Sequence, residues 1–120
     1  SLNDIFYFEG DDNTLKEYYE NASILIYPSL YEGFGSVPLE AMNFGCPVIS
    51  SSTSCLPEVQ SNASLKFDPY SVEDIKIKLE QVLYSDELKK NLIKLGKERV
   101  KDFSWKKCAD QTVSVYNEII

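Results

Sequence analysis

The chain has 120 residues, 43% of them hydrophobic and 12% aromatic, which suits one soluble domain with a real core and is too short for two. Nineteen acidic against twelve basic side chains give a net charge of −7 with no Lys/Arg cluster, so nucleic acid is excluded as a partner on charge grounds. The absence of histidine rules out, within this chain, a Ser-His-Asp or Cys-His triad and any histidine metal site.

Cys46, Cys55 and Cys108 are odd in number and lack metal-type spacing, which points to reduced thiols in a cytosolic protein. No run of about eighteen apolar residues and no charged-then-apolar leader occurs, so neither a spanning helix nor a secretion signal is expected. The sequence starts on Ser rather than Met, and almost at once on a strand-like run, as a segment cut from a longer protein would.

In chain order, Ile5-Phe6-Tyr7-Phe8 reads as a strand and Glu9-Gly10-Asp11-Asp12 as a turn. Thr14-Leu15-Lys16-Glu17 has the form of a capping box, and Leu15, Tyr18, Tyr19 and Ala22 then recur at helical spacing. Ile24-Leu25-Ile26-Tyr27 is a second strand, halted by Pro28. Strand, helix, strand implies a parallel crossover unit, whose ligands gather at the carboxyl ends of the strands, where Pro28 to Gly35 falls.

Gly33-Phe34-Gly35 is a flexible turn, each glycine suiting a positive φ, and Val37-Pro38-Leu39-Glu40-Ala41-Met42 starts a helix with Pro in its first turn. Gly45 stops that helix, Pro47-Val48-Ile49-Ser50 is the next strand, and Ser51 to Ser54 form a polar loop. Leu56-Pro57-Glu58-Val59 reads as a short helical turn and Leu65-Lys66-Phe67 as a last short strand.

Ser71 caps a helix with Val72, Ile75, Leu79, Val82 and Leu83 on one face, and Ser85 or Asp86 caps another carrying Leu88, Leu92, Leu95 and Val100. Ser104 caps the final helix, whose stripe of Trp105, Cys108, Ala109, Thr112, Val113, Tyr116 and Ile120 is expected in the core, the alternative being a face turned to a missing partner domain. The fold class is therefore α/β, a Rossmann-like parallel sheet with helices on both faces, ending in helices.

The stretch from Tyr27 to Met42 brings a strand end, a glycine-containing turn and a helix start together. The unpaired N–H groups of a first helical turn and its partial positive charge make such a junction a seat for an anion, phosphate being the obvious guest. Glu32 and Glu40 bracket it, eight positions apart. At ~1.5 Å rise per helical residue they fall on the order of 10 Å apart, which suits two hydrogen-bonding ends gripping one long ligand across a phosphate. Cys46 and Cys55 read as small buried groups rather than nucleophiles, and Glu58 as a loop-ordering residue.

The pattern Glu32-(seven residues)-Glu40, within Pro28-Ser29-x-x-Glu32-Gly33-Phe34-Gly35-x-x-Pro38-x-Glu40-Ala41-Met42-x-x-Gly45-x-Pro47-Val48-Ile49, resembles the nucleotide-sugar site of GT-B-fold, family-4 retaining glycosyltransferases (glycosyl transferases group 1). The resemblance continues through Leu56-Pro57-Glu58-Val59, Asp68-Pro69 and Phe103-Ser104-Trp105, and so covers nearly the whole chain. It implies that residues 1–120 are part of the C-terminal, donor-binding half of a GT-B fold, with the acceptor domain and the first part of this domain absent.

By that resemblance Glu32 is the catalytic carboxylate, hydrogen-bonded to hydroxyls of the donor sugar. Gly33 lets the ligand approach the backbone, the N–H groups of Phe34 and Gly35 reach the sugar, and those of Ser36 and Val37 hold the distal phosphate. Glu40 accepts from the two ribose hydroxyls. The implied donor is a UDP-sugar or GDP-sugar, with no cofactor and no metal. The implied acceptor is a glycan or glycolipid bound through the missing domain, in capsular or lipopolysaccharide synthesis. The place implied is the cytoplasm, with peripheral association of the full-length protein at the inner face of the membrane.

Two positions depart from the family pattern: Ser36, where an apolar residue is common, and Ser61, where Gly is usual. The family's cations that neutralise the leaving diphosphate would lie upstream, so the isolated chain is expected to bind nucleotide weakly and not to transfer sugar. A sugar-nucleotide epimerase of the same fold and a non-catalytic nucleotide-binding or interaction domain are the alternatives. A dinucleotide dehydrogenase is not, since Gly-x-Gly-x-x-Gly is absent.

Overall fold

A computed structural model describes residues 2–120. After a 3₁₀ turn at Leu2–Asp4 come α1 (Asp12–Asn21), β1 (Leu25–Tyr27), α2 (Ser36–Asn43), β2 (Val48–Ser51), α3 (Leu56–Gln60), a second 3₁₀ turn (Ser61–Ala63), β3 (Leu65–Phe67), α4 (Val72–Leu83), α5 (Asp86–Val100) and α6 (Trp105–Ile119). The three strands form one parallel sheet in the order β1-β2-β3, with Ile26 opposite Ile49 and Ser50 opposite Lys66. Parallel neighbours need helical crossovers, here α2 and α3.

Side chains alternate across a strand, and β2 divides the core accordingly. Val48 packs with Tyr19, Leu39, Met42 and Val59 on one face, and Ile49 with Phe67, Val82 and Leu92 on the other. Helices therefore cover both faces, as the α/β reading requires. All four residues of β2 are buried. Each fully buried Phe67, Met42, Ile49 or Leu56 stabilises the fold by about 1.5–3 kcal/mol.

The serines of β2 are accommodated by hydrogen bonds: Ser50 Oγ donates to Gln60 Oε1 at 2.5 Å and Ser51 Oγ to the Tyr27 carbonyl at 3.4 Å. Ser64 Oγ donates to the same Gln60 oxygen at 2.5 Å, so one buried amide ties β2 to the turn before β3. Gln60 Nε2 has no partner among the described residues.

The caps at Ser71, Ser85 and Ser104 are as expected, each hydroxyl accepting from the N–H three residues on. Four sequence expectations are corrected. The cap of α1 is Asp11, whose carboxylate accepts from the Thr14 N–H at 2.9 Å and the Thr14 hydroxyl at 2.8 Å. A carboxylate one turn earlier outcompetes the Thr14-x-x-Glu17 box, and its pKa is lowered by the Thr14 bonds.

Ile5 to Phe8 form no strand, because neither of the two ladders includes them; Tyr7 is fully exposed and Phe8 rests on the Tyr18 ring at 4.5 Å. Val72 starts α4 but is 83% exposed, and the buried face of that helix begins at Ile75. The final stripe is not core. No residue of α6 is buried and Trp105 is 91% exposed, and the whole chain, α6 included, extends 61 × 31 × 27 Å.

Candidate functional site

β1 ends at Tyr27, Pro28 stops its ladder, and residues 28–35 cross the carboxyl edge of the sheet to the first turn of α2. Gly35 is the N-cap of α2 in the left-handed region, at φ +81°, and a Cβ there would lie 2.6 Å from Leu56 Cδ2. Backbone conformation and close packing thus both require glycine at 35. Gly33 differs from the expectation, with no positive φ and nothing within 4 Å of where a Cβ would stand. Its neighbourhood is open space.

Among the described residues, the N–H groups of Gly33, Phe34, Gly35, Ser36 and Val37 donate to no other group. Pro38 has none to donate. The first turn of α2 therefore presents free donors at the positive end of the helix.

Glu32 is half-buried and held from two sides. Its Oε1 accepts from the Tyr27 phenol at 2.6 Å and the Ser29 hydroxyl at 2.8 Å. Its N–H donates to Ser54 Oγ at 3.1 Å, and its carbonyl accepts from Ser54 Oγ at 2.9 Å and Cys55 Sγ at 3.3 Å. Ser54 reaches this clamp with φ at +58°, a strained setting for a residue with a Cβ. Thr53 Oγ1 adds a bond to the Ser29 carbonyl at 3.4 Å.

Electrostatics follow the bonds. The Tyr27 phenol and then the Ser29 hydroxyl lower the Glu32 pKa, because both bonds favour the carboxylate. The same bond, with burial and the Glu32 charge behind it, pushes Tyr27 up to about 12.

Glu40 is exposed on α2, and Tyr19 Oη donates to its Oε2 at 3.4 Å. Burial first, and the Glu40 charge second, raise Tyr19 to about 12. Tyr19 also stacks on Phe44, ring centres 6.1 Å apart.

Phe34 is half-exposed and meets Phe103 edge-on at 5.5 Å. Phe103 lies under the Arg99 guanidinium at 4.8 Å, and Arg99 donates to the Glu58 and Val59 carbonyls at 2.9 and 2.8 Å. Glu58 thus serves α3 through its backbone. Phe34 and Ser36 also border a groove of about 710 Å³ running along α6 past Phe103, Trp105 and Val115.

Of the thiols, Cys46 is buried and its pKa raised by that burial, Cys55 is half-buried and Cys108 exposed. No three His, Cys, Asp or Glu side chains group as a metal site among the described residues.

The partners of the two carboxylates are what sequence reasoning missed. Ser29 bonds Glu32 at 2.8 Å, a role that its spacing in the sequence does not announce, while Tyr31 beside it is 83% exposed. Tyr27 ends a strand that reads as purely apolar, so its hydroxyl gave no periodic signal. Ser54 and Thr53 lie in a loop whose partner is distant in sequence.

The profile of the family described as Glycosyl transferases group 1 matches residues 2–99. The chain is 40% identical over 105 residues to O-antigen chain mannosyltransferase B of Escherichia coli, an alignment covering 88% of this chain and 28% of that one. It is 34% identical over 113 residues to the MMP alpha-(1->4)-mannosyltransferase of Mycolicibacterium hassiacum, covering 91% of this chain and 28% of the relative.

Among solved structures, sucrose-phosphate synthase from Thermosynechococcus elongatus superposes with a TM-score of 0.82 at 30% identity, over 96% of this chain and 30% of that chain. The C-terminal domain of a glycosyl transferase group 1 family protein from Francisella tularensis superposes at 0.70 and 27% identity, over 81% of this chain and 51% of that chain. The chain thus spans 28% of the length of each of these two curated relatives.

Proposed function

The chain belongs to the glycosyl transferases group 1 family, and on that premise we propose that its β1–α2 junction binds the diphosphate and sugar of a nucleoside-diphosphate sugar. The observation that carries this reading is the row of unbonded N–H groups from Gly33 to Val37 between two carboxylates. In it, the Ser36 and Val37 amides take the distal phosphate, the Phe34 and Gly35 amides the sugar, and Gly33 leaves the approach open. Glu40 takes the ribose hydroxyls. Glu32 is the catalytic carboxylate, holding hydroxyls of the sugar while the glycosidic bond breaks.

The whole protein transfers that sugar to a glycan or lipid-linked acceptor, with retention at the anomeric carbon and without a cofactor or metal. Departing phosphate is stabilised by the α2 dipole, its amides and cations outside this chain. Relatives named as mannosyltransferases favour mannose as the donor sugar, in cell-surface polysaccharide synthesis. Acceptor binding falls to a further domain, and the protein works in the cytoplasm at the inner face of the membrane. No helix among the described residues is long and apolar enough to cross one.

Amide NMR during titration with UDP, GDP and NAD tests the reading. Shifts confined to Gly33, Gly35, Ser36 and Val37 with a nucleoside diphosphate are expected. A spectrum indifferent to all three nucleotides would sink it.

A further inference from the structure

The carboxylate of Glu32 is not free to turn. A glutamate's last torsion is soft and roughly two-fold, so an unpartnered carboxylate samples many orientations. Here Oε1 takes two short bonds, from Tyr27 and Ser29, while no group among the described residues donates to Oε2. The backbone beneath it is fixed separately, N–H and carbonyl both tied to Ser54. Tyr27 is itself anchored, paired with Ser50 in the sheet and accepting at its carbonyl from Ser51.

We propose that Tyr27 is a positioning residue: its phenol, assisted by the Ser29 hydroxyl, occupies Oε1 of Glu32 so that Oε2 alone accepts a hydroxyl of the donor's sugar. This inference rests on the donor-site reading above and adds to it how the sugar is selected.

A carboxylate oxygen has about two lone-pair sites, so two donors fill Oε1. The site therefore offers a hexose one aligned oxygen, prepared before the ligand arrives, and orientation set in advance is what makes such a contact effective. Glu40 is a useful contrast. Its single phenol stands at 3.4 Å, so that carboxylate keeps far more freedom. The titratable groups set against Glu32 are Tyr27 from β1 and Cys55 at the start of α3, and no ion pair among the described residues includes Glu32.

The test compares wild type with Tyr27→Phe and Ser29→Ala in the full chain of the protein. In the ligand-free protein, carbon-detected NMR follows the titration of the Glu32 carboxyl. Tyr27→Phe is expected to move it to higher pH and Ser29→Ala to move it the same way, by less. Calorimetry then compares GDP with GDP-mannose and UDP with UDP-glucose. Tyr27→Phe is expected to weaken the nucleotide sugar about three- to tenfold while changing the plain nucleoside diphosphate by less than about twofold.

An unmoved Glu32 titration overturns the inference, as does equal weakening of sugar-bearing and sugar-free ligands. If no nucleotide binds wild type, the donor-site reading falls and takes the sugar contact with it, while the titration still decides whether Tyr27 holds Glu32. Tyr27→Phe removes one oxygen from a half-buried ring, and Ser29→Ala supplies the second variant should the first not fold.

Discussion

Each carboxylate at the β1–α2 junction has a tyrosine at its back, and the two differ in how tightly they are held. Glu40, the more loosely held, is the one proposed to take the ribose hydroxyls. A charged hydrogen bond is worth roughly 1.5–3 kcal/mol, so Glu40→Gln is expected to weaken a nucleoside diphosphate about ten- to a hundredfold by calorimetry, with unchanged stability. The phenols carry a pH signature. Both Tyr19 and Tyr27 are pushed up from 10.0 to about 12 in the folded chain. A group whose pKa rises on folding stabilises the fold below its unfolded value and loses that contribution as pH climbs through the folded one. Unfolding free energy is therefore expected to fall from pH 10 towards 12, and urea melts of Tyr27→Phe should show a shallower alkaline decline. Ser61 carries a different cost. It sits at φ +51° and ψ −131°, a setting that favours glycine. Ser61→Gly is expected to raise stability by about 1 kcal/mol in urea melts without touching nucleotide binding.

Among elements, α2 matters most, because it carries the free amides and Glu40, and α5 fixes its position. The two helices meet where Gly96 faces Met42: a Cβ on Gly96 would lie 2.9 Å from Met42 Cγ and 3.1 Å from its Cβ. Overpacking of this kind costs about 1–3 kcal/mol, against about 1 kcal/mol gained from alanine's better helix propensity. Gly96→Ala is thus expected to destabilise the chain in urea melts and to weaken nucleotide binding by displacing α2. How legible such features were depends on their range. β1, β2, β3 and the Ser71, Ser85 and Ser104 caps rest on local apolar runs and on hydroxyls bonding three residues ahead, so neighbouring letters reveal them. The site loop was legible for the same reason, its glycines and proline standing between a strand and a helix start. Gly96 is silent in sequence because its partner lies on another helix, and the Ser54 clamp on Glu32 joins residues twenty-two apart. Ile5 to Phe8 have every local mark of a strand, yet a strand exists only where another offers its ladder.

At the scale of the molecule, a core lies on both faces of a three-stranded sheet and a helix extends beyond it. Trp105 is the single tryptophan and is 91% exposed. Its fluorescence is expected to resemble that of free indole in the folded chain and to shift little on unfolding in urea. A blue-shifted emission from the chain alone would show α6 folded back against the body. The stripe of Val113, Tyr116 and Ile120, half or more exposed, is expected to become covered where the chain forms part of a larger protein, and emission should then shift to the blue. The sheet order carries one more consequence. β1 is outermost, so its far side presents main-chain donors and acceptors with no neighbouring strand among the described residues. Such a margin templates association, and it tends to be kept short for that reason. Here it runs for only three residues before Pro28, whose ring nitrogen bears no hydrogen, cuts it off. Solutions of the chain should accordingly stay clear at high concentration, whereas Pro28→Val, which gives that margin one more N–H, should turn them cloudy by margin-to-margin stacking.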